Sequence, residues 1–105
     1  MVVVLCNCSP KEAGSLARAL VESGLAACVN IVPGVLSVYL WKGELCEDGE
    51  STLLIKTATE RVDALSSRIR ALHSYEMPEI VVLDADDSLS DRRYVDWVRL
   101  STQRA

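Results

Sequence analysis

Polar chemistry concentrates in one short stretch, Leu72-His-Ser-Tyr-Glu-Met-Pro-Glu-Ile80. It carries the only histidine, His73, and two carboxylates, Glu76 and Glu79. Imidazole and carboxylate can ligate a metal ion, and a carboxylate pair can act as acid and base. Four cysteines, Cys6, Cys8, Cys28 and Cys46, are the other donors. Cys6 and Cys8 stand two apart, which on a strand places both on one face. Thiolate with imidazole suits copper or zinc, sulfur favouring Cu(I). Each residue also has a plainer role. A histidine at a helix end suits the negative end of the dipole. Glu76 and Glu79, three apart across Pro78, also read as a solvated rim. Buried cysteine acts as a small hydrophobe, an alternative open for Cys6 and the reading for Cys28. Cys46 falls in a turn-like stretch and is expected exposed.

Other chemistries find less support. Cysteine with histidine suggests a thiol nucleophile, but no third group is placed to orient the pair. Asp84, Asp86 and Asp87 lack the loop glycine and distal glutamate of a calcium loop. There is no glycine-rich phosphate loop. The reading is a protein that is not an enzyme and has no organic cofactor.

The elements that must position these groups can be read in order. Val2 to Cys8 is apolar without alternation, as a strand buried on both faces would be. Ser9, Pro10 and Glu12 form a capping box with proline at the first helical position. Ala13, Leu16, Ala17, Leu20 and Val21 give that helix one apolar face, and Gly24 ends it. Ala26 to Val32 reads as a second strand, and Pro33-Gly34 as a turn or bulge. From Val35 the pattern alternates: Leu36, Val38 and Leu40 on one side, Ser37, Tyr39 and Trp41 on the other. Glu47 to Glu50 reads as turn, and Thr52 to Lys56 as the strand closing a long hairpin. Thr57 and Glu60 suggest a second capping box before Val62, Leu65, Ile69 and Leu72. Pro78 excludes Met77 from helix, so an extended linker leads into a strand at Ile80 to Leu83. Ser90-Asp91 caps a last helix with Tyr94, Trp97, Val98 and Ser101 on one face, fraying over 102–105.

The order β-α-β-β-α-β-α predicts an α+β fold of the ferredoxin-like split-βαβ kind. Its antiparallel sheet carries helices on one face, plus a C-terminal helix. The other face needs cover, and Tyr39 and Trp41 are the candidates for a subunit contact. At 105 residues the chain is expected to be one domain, 1–105. The net charge of −4 argues against nucleic acid and anionic membrane as partners. No apolar run approaches the roughly 18–20 residues of a membrane span. The start, Met-Val-Val-Val-Leu-Cys, reads as a strand rather than a leader. The cysteines are therefore expected reduced and the protein cytoplasmic.

Five groups of residues together resemble the CutA family of divalent-cation tolerance proteins, over essentially the whole chain. They are Leu25-Ala26-Ala27-Cys28-Val29-Asn30, Ser37-x-Tyr39-x-Trp41-x-Gly43, Ile55-Lys56-Thr57, His73-x-Tyr75-x-x-Pro78-Glu79 and Tyr94-x-x-Trp97. The resemblance implies a homotrimer of ferredoxin-like protomers. It implies tolerance of divalent metals, copper above all, with zinc not excluded, and no established reaction. It implies a metal site at Cys6 and His73; Cys8, extra relative to much of the family, Glu76 and Glu79 are the candidates to assist them. Leu72 stands where some bacterial members have a second histidine. The resemblance also opens another reading, a PII-like signalling trimer acting through a small ligand or protein partner.

Overall fold

Strand β1, Val2–Cys8, lies inside a four-stranded antiparallel sheet. The computed structural model describes residues 1–103. Helix α1, Pro10–Glu22, follows, then strands β2, Cys28–Trp41, and β3, Glu44–Thr57. After a 3₁₀ turn at Thr59–Arg61 come helix α2, Val62–Leu72, strand β4, Val81–Asp84, and helix α3, Arg92–Ser101. The sheet order is β2-β3-β1-β4, as the split-βαβ plan requires.

Burial along β1 alternates, a correction to the expectation of two buried faces. Val2, Val4, Cys6 and Cys8 face the helices, while Val3, Leu5 and Asn7 are half-buried on the other side. Leu53 and Ile55 of β3 join the inner set and pack with Ala13, Leu16 and Leu20 of α1 and Leu65 and Ile69 of α2. Each leucine or isoleucine among them contributes about 1.5–3 kcal/mol when fully buried. Val21, expected on the apolar face of α1, is exposed at its rim.

Glu12 reaches back to the Ser9 N–H at 3.3 Å, as the capping pattern predicts. At the far end, Leu25 N–H bonds Leu20 O and Gly24 N–H bonds Val21 O, the paired bonds of a Schellman motif. Thr57 caps nothing. It ends β3, and its hydroxyl donates to Leu25 O at 2.7 Å, so the 3₁₀ turn enters α2 instead.

The hairpin has its expected extent, but β3 begins at Glu44 rather than at Thr52. Lys42 and Gly43 make a two-residue turn with positive φ at both positions, 51° and 82°. Trp41 therefore pairs with Glu44, and pairing continues through Tyr39–Cys46, Ser37–Asp48 and Val35–Glu50. The expected turn at Glu47 to Glu50 is strand, and Cys46 is half-buried within it. Pro33-Gly34 marks the bulge, with Gly34 at φ 72°.

On α3 Val98 packs inward as expected, joined by Val95, whereas Tyr94 and Trp97 of the expected face do not. Those two rings lie partly exposed against each other, centroids 5.5 Å apart. Thr102 is buried, its hydroxyl donating to Val98 O, so fraying does not begin there; the rest of that expectation, at 104 and 105, lies outside the described residues. No helix among the described residues is long and apolar enough to cross a membrane.

Candidate functional site

The segment leaving α2 crosses the sheet where β1 ends. His73 is the C-cap of α2, and its ring is fully buried there. Nε2 lies 2.8 Å from the carbonyl oxygen of Asn7, which can only accept, so Nε2 carries the proton. Nδ1 accepts the Tyr75 N–H at 3.1 Å. Both ring nitrogens are thereby engaged. The Glu12 carboxylate stands 3.8 Å from Nδ1.

Cys6 comes to the same place from β1, its Sγ 3.8 Å from the Asn7 carbonyl oxygen. The topology thus brings Cys6 and His73 to one sheet end, each against the Asn7 carbonyl oxygen. A soft metal there would have to displace a thiol proton and a hydrogen bond of the imidazole. Burial, then the charges of Cys8 and nearby glutamates, pushes the Cys6 thiol up to about 12. Burial, with Glu12 and Glu50, pushes Cys8 up to about 11. Copper requires thiolate and a free imidazole lone pair, and neither stands ready. Among the described residues no three His, Cys, Asp or Glu side chains gather as a metal cluster. Glu76 faces elsewhere and pairs with Lys42 at 3.9 Å.

Glu76 belongs to a cleft of about 350 Å³ between the hairpin and the 73–80 segment. Tyr39 and Trp41 of β2 and Asp48 and Glu50 of β3 form one wall, because the pairing puts all four on one hairpin face. Tyr75, Glu76, Met77 and Glu79 form the other. Asn7 completes the lining, its Oδ1 accepting the Thr52 hydroxyl at 2.7 Å. The walls are tied together by Tyr75, whose hydroxyl donates to Glu50 at 2.6 Å. Tyr39 likewise donates to Asp48. Burial and these carboxylates push the Tyr75 phenol well up, and the Asp48 bond with the surrounding charge takes Tyr39 up to about 12. Both therefore stay protonated donors.

Glu50 is only 5% exposed, and no Lys, Arg or His pairs with it among the described residues. It was not foreseen as a site residue, nor was Asp48, because their stretch reads as turn. Counting outward from Lys42-Gly43 was the available signal. A two-residue turn forces Glu44 to Glu50 opposite Trp41 to Val35.

The family model of the CutA1 divalent ion tolerance protein matches residues 1–101. This chain belongs to the CutA family. It is 48% identical over 101 residues to the divalent-cation tolerance protein CutA of Thermus thermophilus, covering 96% of each. It is 42% identical over 93 residues to the human protein CutA, 89% of this chain but 51% of that one, so it spans about half the human relative's length. The solved apo structure of the PII-like protein CutA from Nostoc sp. PCC 7120 superposes with a TM-score of 0.94 at 44% identity, covering 98% of each chain. The CutA fold is thus ferredoxin-like and PII-like.

Proposed function

We propose that this CutA protein is a non-catalytic binding module of divalent-cation tolerance, working through the cleft rather than by sequestering metal at its thiols. Buried Glu50 carries the reading. A carboxylate withdrawn from water without a counter-ion is costly, and a cation entering the cleft supplies one. The absence of catalysis is supported by the state of the reactive groups. The Cys6 and Cys8 thiols are raised and buried in the core, and His73 is bonded at both nitrogens.

Copper or zinc shared by Cys6 and His73, with Cys8 or Glu76 assisting, is the second reading. It is favoured by their convergence on Asn7, but asks His73 to break a bond and Cys6 to lose a proton. The assembly we propose is a homotrimer, with Tyr39 and Trp41 beside the subunit contact. The four free cysteines support a reducing, cytoplasmic setting.

Copper and zinc titration of wild type, Cys6→Ala and His73→Ala tests the choice. Equal stoichiometry and affinity in all three is the expected result. Loss of a site in either variant would return the metal to the buried pair.

A further inference from the structure

We propose that the cleft binds an aliphatic di- or polyamine, its ammonium groups held by carboxylates and its methylene chain by the aromatic walls. The proposal rests on the cleft being the working surface of the protein. Three observations carry it.

The first is the unmatched charge. Glu50 is buried without a cationic partner among the described residues, and its one described side-chain bond is to the neutral Tyr75 hydroxyl. A hydrogen bond from a phenol does not neutralise a carboxylate, and an ammonium does.

The second is how the acidic groups are distributed. Asp48 and Glu50 lie on β3, while Glu76 and Glu79 lie on the 73–80 segment across the cleft. A single hard cation needs its oxygen ligands gathered at about 2.0–2.6 Å, and the described residues gather no such group of three. A chain with charges at intervals meets carboxylates that stand apart. Between them the cleft offers Trp41 and Met77, surfaces that methylene groups can cover. About 350 Å³ also lies within the size range of small-ligand pockets, about 300–1,000 Å³.

The third is Lys42, at the hairpin turn beside the cleft. Its Nζ stands 5.6 Å from the centre of the Trp41 ring and 3.9 Å from Glu76 Oε2. An alkyl ammonium is therefore already seated between an aromatic face and a carboxylate of this site, the pairing a cation–π contact favours. Lys42 is a tethered example of the proposed ligand and competes for one edge of the site.

The test is titration of the whole chain with putrescine and spermidine, followed by the indole N–H resonance of Trp41. Trp97, on α3, is the internal control. The expected result is a saturable shift of Trp41 alone, weakened by salt. Affinity should fall about tenfold or more in Glu50→Gln and also fall in Glu79→Gln, an exposed position that leaves folding intact. It should rise by about threefold in Lys42→Gln. Equal shifts at Trp41 and Trp97, insensitive to both glutamate variants, would mean only diffuse attraction to an acidic surface and would overturn the site. If magnesium or zinc shifts Trp41 and neither amine does, the ligand class is wrong and the cleft stands. If none of them shifts Trp41, the cleft reading falls as well.

Discussion

Glu12 closes the first turn of α1 and also fastens the segment behind α2. It accepts the Ser74 N–H at 3.1 Å and the Ser74 hydroxyl at 2.6 Å, besides its bonds from Ser9. Burial alone would push this carboxyl up, but the bonds from Ser74 and Ser9 outweigh it and hold the group below its usual value. A carboxylate depressed by folding contributes stability at neutral pH and loses it as pH falls through its folded pKa. Ser74→Ala is expected to cost about 1 kcal/mol near neutrality. The cost should vanish in strong acid, where Glu12 is protonated in both states. Urea unfolding at the two pH values checks this, and an equal loss at both would refute it. His73 and Tyr75 flank Ser74, so this one serine also steadies the wall of the cleft.

Among the elements, the hairpin is decided by two short irregularities. Gly34 sits in the left-handed region at φ 72°, and a Cβ there would meet nothing within 4 Å. The cost of Gly34→Ala is then conformational alone, about 1–2 kcal/mol. Gly49, on the facing strand, has equal space and no positive φ. Gly49→Ala should be neutral or slightly stabilising. Thermal unfolding of the two variants separates backbone strain from packing, and equal effects would remove the bulge argument. The same hairpin shows what the residues reveal by themselves. Capping at Ser9, helix closure at Gly24 and the Pro78 linker were legible because their causes are local. Glu47 to Glu50 was not, since an acidic run with glycine has turn chemistry and only its partner strand makes it strand. The inner face of α3 was read correctly at Val98 but not at Val95, for a related reason. Tyr94 and Trp97 are the larger apolar groups, yet the smaller Val95 and Val98 are those that fit beneath the helix. The Cys6–His73 approach followed from topology, whereas the hydrogen bonds that occupy the imidazole depend on the path taken by the 73–80 segment.

At the scale of the molecule, the hairpin carries more apolar surface than one protomer can cover. Leu36, Val38, Leu40 and Leu45 share its face opposite Tyr39 and Trp41, and all are more than half exposed. A contiguous patch of this kind marks an interface. Light scattering at micromolar concentration should give three protomers for the wild type and fewer for Leu40→Asp. Leu89→Asp, at an isolated exposed leucine, should leave the assembly unchanged. A wild-type monomer would overturn the proposed trimer.

The place of β1 in the sheet has a consequence for the protein's birth. Val2–Cys8 leaves the ribosome before either of its partners, since its register runs to Ser51–Thr57 on one side and to Val81–Asp84 on the other. The hairpin can zip from its own turn as soon as it is made, and then offer β3 to one edge of β1. The second edge stays open until residue 84 has emerged. An apolar strand with an unpaired edge is a template for a neighbouring nascent chain. The exposed strand β4, only four residues long, therefore acts as a closing seam: its arrival ends the interval in which a growing chain can join the wrong partner.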